Sequence, residues 1–173
     1  AELGNIETID KPLSEIKLLP YFQRAIARRS LNVEMEDARE IAYNSFKTHR
    51  SAETMIKDLS GKLQNHEKER LGIVADVLED NIQYAEAERI VDGLLAKNPE
   101  DLRFINAKGR LLLKTGKADQ AKVFLEKADK LAPDNLERIE AMAKMYLETA
   151  DPDAAVEKMK RMIALNPEDP ELR

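Results

Sequence analysis

The chain contains no cysteine, so disulfide bridges, thiolate metal sites and a cysteine nucleophile are all excluded. Tryptophan is missing too, and aromatic residues make up only 5% of the sequence. That scarcity, beside 35% charged residues, suits a helical protein rich in Ala, Leu, Glu and Lys better than a sheet. Positive charge is not in excess: the formal net charge is −5, a poor match for general nucleic-acid binding, which needs a basic footprint. No apolar run approaches the roughly twenty residues of a membrane-spanning helix. The first residues, AELGNIETIDKP, lack the basic and apolar regions of a signal peptide. Glycine-rich phosphate loops, a nucleophile elbow and an HExxH helix are all absent. The two histidines, His49 and His66, have no second His, Cys or paired carboxylate at ligand spacing, and read as surface residues. The acidic run EKADKLAPDNLERIEA lacks the spacing of a calcium loop. The expectation is a cytoplasmic protein, not an enzyme, with no metal and no cofactor.

What the sequence does contain is a period. The tetrapeptide NPED stands at Asn98–Asp101 and again at Asn166–Asp169, with APDN at Ala132–Asn135 midway between them. Pro99, Pro133 and Pro167 are spaced by 34 residues, as are Ala87, Ala121 and Ala155. The prolines define three blocks: 68–101, 102–135 and 136–169. Repeat position 8 is then always small (Ala75, Gly109, Ala143) and position 11 always large (Leu78, Leu112, Tyr146). Position 24 holds Val91, Leu125 and Met159, and position 27 holds Leu94, Ala128 and Met162. Small residues let two helices approach closely, and large ones fill the remaining space. The proline follows the second helix and cannot continue it. The acidic or amide residues after it suit the start of the next helix. Each block predicts helix–turn–helix, with Gly116 marking the turn of the middle one.

These blocks resemble tetratricopeptide repeats, whose 34-residue unit carries Leu-Gly, Tyr, Ala, Phe and Pro at fixed offsets. The middle block matches at Gly109, Ala121, Ala128 and Pro133; the outer blocks replace its turn glycine by Ile82 and Ala150, and Gly93 falls inside a predicted helix. The resemblance covers residues 68–169. It implies an all-α fold: a right-handed α-solenoid of helix hairpins, preceded by additional N-terminal helices. DPELR, residues 169–173, resembles the first turn of a fourth block, with Pro170 at its first helical position, so the chain is expected to be part of a longer protein; the alternative is a natural end whose exposed face packs on a partner chain.

Two further segments precede the repeats. In residues 1–30, ETIDKPLSEIKLLPYFQRAIARRS resembles the tail of a bacterial response-regulator receiver domain. It has a Lys-Pro pair (Lys11-Pro12), an N-cap at Ser14, and a helix whose Ile16, Leu19, Phe22 and Ile26 share one face. By that resemblance Lys11 matches the lysine that contacts the phosphoryl group. The phospho-accepting aspartate and the magnesium-binding acidic pair are absent, so no phosphorylation chemistry is expected in this chain. Residues 31–67 carry two helical stripes, Met35, Ala38, Ile41, Ala42, Phe46 and Ala52, Met55, Ile56, Leu59, Leu63. They are expected to form a helical hairpin or linker that caps the solenoid. Ser60-Gly61 either turns the chain or lies within a longer helix. Glu53 occupies the small-residue column, so this segment does not fit the repeat frame.

The resemblance also places a binding surface. Repeat positions 2, 5, 9 and 12 line the concave side of such a stack: Glu69, Gly72, Asp76 and Glu79, then Arg103, Asn106, Arg110 and Leu113, then Glu137, Glu140, Lys144 and Leu147. The expected partner-binding residues are Arg103, Asn106, Arg110, Glu140 and Lys144. Arg103 and Arg110 would hold a carboxylate through bidentate bonds, and Asn106 would bond an extended backbone. The chaperone-tail clamp of some family members is not expected, because Gly72, Asp76 and Glu140 stand where its polar and basic residues belong. The implied function is a protein–protein interaction module, the output or adaptor part of a bacterial two-component response regulator. The alternative is a structural homo-oligomerisation domain with no separate peptide ligand. The partner is a protein or peptide, or a second copy forming a homodimer; neither nucleic acid nor membrane is expected.

Overall fold

The computed structural model describes residues 15–49 and 51–167. Eight helices and no strand occur among them: α1 (Glu15–His49), α2 (Ala52–Leu59), α3 (Glu67–Asp80), α4 (Tyr84–Lys97), α5 (Leu102–Lys114), α6 (Ala118–Leu131), α7 (Leu136–Glu148) and α8 (Pro152–Leu165). The last six form three hairpins, α3–α4, α5–α6 and α7–α8, each packed on the next. Lys11, Ser14 and the DPELR segment lie outside the described residues.

The periodic punctuation has a local cause. Asn98 ends α4: its backbone N–H donates to the Leu94 carbonyl at 2.9 Å, and its side-chain amide does so at 3.4 Å. Pro99 then prevents continuation, and the Asp101 carboxylate accepts from the Arg103 N–H at 3.1 Å to start α5. Asn135 caps α7 in the same way at 2.8 Å, and Asp151 caps α8 at 3.2 Å with Pro152 in its first turn.

Each hairpin turns through one left-handed residue: Ile82 (φ 65°), Gly116 (φ 73°) and Ala150 (φ 57°). The following N–H groups of Gln83, Lys117 and Asp151 reach back to the carbonyls of Leu78, Leu112 and Tyr146, each at 2.8 Å. This is the 6→1 bond of a Schellman motif, and its acceptor is the large residue of repeat position 11. Only the middle repeat puts glycine at the strained position, and the β-branched Ile82 is the costliest occupant.

Close helix approach builds the core. Ala87, Ala121 and Ala155 are fully buried, as are Leu78, Leu112, Val91 and Leu125. A Cβ on Gly109 would lie 2.6 Å from Leu125 Cδ2, so any larger residue in this column of the middle repeat must push the Leu125 side chain aside. Met159 departs from its column: it is exposed on α8, where no further hairpin follows among the described residues.

One helix crosses the boundary drawn between residues 30 and 31: α1 is continuous for 35 residues, with Pro20 inside it. Its C-terminal half packs Ala38, Ala42 and Phe46 against Ala52, Met55 and Leu59 of α2 and against α3. The chain turns at Ser60-Gly61, where Ser60 Oγ bonds the Lys57 carbonyl at 2.6 Å. The poor fit to the repeat frame has a simple origin. The buried small residue Ala52 stands at the first position of α2, whereas Ala87, Ala121 and Ala155 sit one turn into their helices.

Three substitutions follow, each checked by denaturant unfolding. Ile82→Gly removes left-handed strain and is expected to stabilise by about 1 kcal/mol. Gly93, inside α4 with open space around it, should give a similar gain as Gly93→Ala, about 1 kcal/mol. Gly109→Val forces Leu125 aside and should cost about 2 kcal/mol.

Candidate protein-binding groove

The first helices of the hairpins stand side by side and, with α1, line a groove of about 520 Å³. α1 supplies Arg39, and α3 supplies Asp76, Glu79 and Asp80. Next come Arg103, Ala107, Arg110, Leu113 and Lys114 from α5, then Glu137, Glu140, Ala141 and Lys144 from α7. Of the five residues predicted to bind a partner, Arg103, Arg110, Glu140 and Lys144 are brought together here. Asn106 is not. It lies round the side of α5, beside a smaller pocket, and its Oδ1 accepts from Arg138 Nη1 at 3.2 Å. Arg138 is buried and also donates to the Ala132 carbonyl, so Asn106 belongs to the junction between the second and third hairpins.

Lysine and arginine in the groove are largely spoken for. Arg103 Nη2 donates to Asp76 Oδ2 at 2.7 Å, and Arg39 reaches the same oxygen from α1 at 3.2 Å. Gly72 makes this possible: a Cβ there would sit 2.9 Å from the Arg103 guanidinium carbon. Arg110 grips Glu79 through Nε and Nη2 at 3.1 and 3.0 Å, and its remaining nitrogen meets Glu137 at 3.3 Å. Lys114 closes on Glu79 at 3.2 Å, and Tyr43 donates its hydroxyl to Asp80. The bidentate geometry expected of Arg110 is present, but its carboxylate is the protein's own. These bonds join α1 to α3, α3 to α5 and α5 to α7, so the wall is stitched across successive helices.

Five cations and five anions line the groove, which leaves it without a dominant sign. Glu140 and Lys144 are exposed and form no ion pair among the described residues, a state that they share with Asp80, whose carboxylate accepts the Tyr43 hydroxyl. Ala107, Leu113 and Ala141 add apolar surface between the charges. Asp80, Lys114, Ala107 and Ala141 were missed from sequence because they occupy repeat positions 13 and 6, beside the positions assigned to the groove. Arg39 was missed because α1 stands outside the 34-residue frame. Among the positions assigned, Glu69 instead faces His66 at 3.8 Å, and Leu147 is exposed away from the lining.

Glu79 is the buried anchor of the wall. Burial pushes its carboxyl up, but the Arg110 hydrogen bonds and charge, with Lys114, outweigh this and hold it below its ordinary value of 4.5. A lowered folded-state value means that the pair stabilises the fold above the unfolded carboxylate's range. That contribution is lost as pH falls through the folded-state value. Glu79→Gln is therefore expected to cost about 2 kcal/mol at pH 7 and progressively less below pH 4.5, seen as a flatter pH–stability profile in denaturant titrations.

Comparison with known proteins places this architecture. Residues 78–145 match the sequence model of the tetratricopeptide repeat. No curated protein matches the chain over its sequence. Among solved structures, MamA (residues 41 to the end) from Desulfovibrio magneticus RS-1 is similar with a TM-score of 0.63 and 20% identity, over 80% of this chain and 79% of that one. The type III secretion translocator chaperone SycD of Yersinia enterocolitica, in an alternative dimer, gives 0.54 and 19%, over 60% and 79%. A tetratricopeptide repeat protein from Parabacteroides merdae gives 0.62 and 12%, over 80% and 56%. The chain thus has the tetratricopeptide-repeat solenoid fold, with the family's own sequence signature over residues 78–145.

Proposed function

We propose that the chain is a cytoplasmic protein–protein interaction module that holds an extended partner segment in the groove of α1, α3, α5 and α7, with no chemistry of its own. The observation that carries this reading is the contrast on the α7 wall. Glu140 and Lys144 keep exposed charges without an ion-pair partner among the described residues, in a groove whose other ions, Asp80 apart, are paired with one another. Apolar patches at Ala107, Leu113 and Ala141 lie beside them, the mixture that an alternating polar and apolar segment requires. A similar fold serves a translocator chaperone, a protein that acts on another protein.

The finer reading is that the module is the output part of a bacterial response regulator. It rests on Lys11-Pro12 and the helix that follows, and on their resemblance to a receiver tail. Phosphorylation of an upstream receiver would then alter access to the solenoid. Equal partner affinity with and without a phosphoryl mimic, in a protein carrying both parts, discards that reading alone.

The groove is tested without touching its structural ion pairs. A partner captured by the native chain should bind Lys144→Glu, Glu140→Lys at least about tenfold more weakly in calorimetry. The control Val123→Glu alters an exposed residue of α6 outside the groove and should bind normally. Equal binding by the groove variant, or loss in the control alone, moves the site elsewhere.

A further inference from the structure

α8, the last helix among the described residues, carries an open apolar face. Val156, Met159 and Ile163 are 46%, 42% and 43% exposed, and Pro152 is exposed in line with them. At about 100° per residue the four fall within about 60° of one another around the helix. Their alternating steps of four and three residues are the seam of a paired helix. The same repeat positions are closed in the earlier hairpins. Glu88 and Leu95 of α4, and Lys122 and Asp129 of α6, stand where α8 has Val156 and Ile163, and none of them is exposed. Lys108 of α5 meets Glu88 at 2.9 Å, and Arg138 of α7 meets Asp129 at 3.7 Å. Each covering helix runs antiparallel to the one beneath it, because a short connection joins the two. An antiparallel helix is therefore the shape that this face fits.

Charge says whose helix it is. At the repeat position of Lys160 the earlier helices carry Asp92 and Glu126, which Lys108 and Tyr146 of the covering helices satisfy. The reversed sign on α8 calls for a carboxylate instead, and α8 itself offers one in Asp153. Asp153 and Lys160 are both exposed on the same flank of the seam. Asp153 has no ion-pair partner among the described residues, and Lys160 pairs with Glu157 of its own helix at 2.9 Å, a surface contact of little strength. Laid antiparallel about a two-fold axis between residues 157 and 158, a second α8 sets Val156 of each copy against Met159 of the other, and Pro152 against Ile163. The flanking residues that then face one another are Asp153 and Lys160, whose midpoint lies one residue, about 1.5 Å, from the axis. One register closes the apolar seam and forms two inter-chain ion pairs. A parallel copy in register leaves Asp153 and Lys160 about 10 Å apart along the helix. Two-fold pairing is also the commonest symmetry of soluble oligomers.

We propose that two copies of this chain pair antiparallel through the Val156–Met159–Ile163 face of α8. None of these residues lines the groove, which the dimer presents twice.

The test is sedimentation equilibrium on the full chain, with helicity of every variant checked by circular dichroism. The native chain should sediment at twice its 19.6 kDa. Val156→Glu, Met159→Glu should raise the dimer dissociation constant by more than about a hundredfold. Asp153→Lys alone and Lys160→Asp alone should each raise it about tenfold. An equimolar mixture of those two charge variants should restore the native dimer, because each supplies the sign that the other lacks. The mixture carries the test even where the paired glutamates disturb α8. A monomeric native chain overturns the proposal. A dimer indifferent to Val156→Glu, Met159→Glu overturns it, as does one indifferent to the charge variants or not restored by mixing them. So does a dimer that is lost instead with Phe22→Glu, Ile26→Glu on the exposed part of α1.

Discussion

The rest of this structure depends on how closely the two helices of a hairpin approach. In the middle repeat the Leu125 side chain lies where a Cβ of residue 109 would be, so the α5 backbone itself forms part of the packing surface. At the equivalent positions Ala75 and Ala143 are buried, so a single methyl group stands there in the first and third repeats. Fixing this spacing fixes the pitch of the stack, and the pitch brings the first helices of successive hairpins side by side. The groove is a consequence: its walls are the helix faces left over when the small-residue faces are used for packing. A residue at a groove position is therefore placed by contacts made on the opposite side of its helix.

The second constraint is electrostatic. Across the groove, charges compensate between helices rather than along them: Arg39 and Arg103 share Asp76, and Arg110 and Lys114 share Glu79. A carboxylate withdrawn from water and held by two cations of neighbouring helices resists sliding of one hairpin on another, because sliding would strand a charge away from water. The same logic recurs outside the groove. Asp129 of α6 faces Lys158 and Arg161 of α8, and Glu88 of α4 faces Lys108 and Lys117 of the next hairpin. Burial opposes the ionised form of Asp129, and its cationic neighbours override that and hold it ionised. Hairpin junctions are thus held by apolar interlock on one side and ion pairs on the other.

Much of this was legible in the order of residues, because a repeat states each packing role three times. The buried columns, the proline stops and the Asp and Asn caps are local or periodic properties. So was the location of four groove residues. What the period could not carry was the third dimension of the charges. Arg103 and Arg110 look like free cations in one dimension because Asp76 and Glu79 precede them by 27 and 31 residues. Only the pitch of the stack brings them together. Asn106 sits one residue from a true groove position, Ala107, yet a one-residue step turns a helix by about 100° and takes it to the hairpin junction. α1 and α2 eluded the frame because Ala52 begins its helix rather than lying a turn inside it, which shifts its column.

On the proposed function, the division between committed and uncommitted charge would let a nearly neutral groove discriminate. An ion pair that the fold already satisfies offers a ligand little, since a new carboxylate at Arg110 must displace Glu137 or Glu79 and leave it desolvated. Glu140 and Lys144 have no such prior claim, and each can be paired without breaking anything. Affinity would come from apolar contact at Ala107, Leu113 and Ala141, while selectivity would come from one helix, α7. On the proposed function, the walls built by α3 and α5 would keep the shape of the site, and α7, at the end of the ion ladder, would read what enters it.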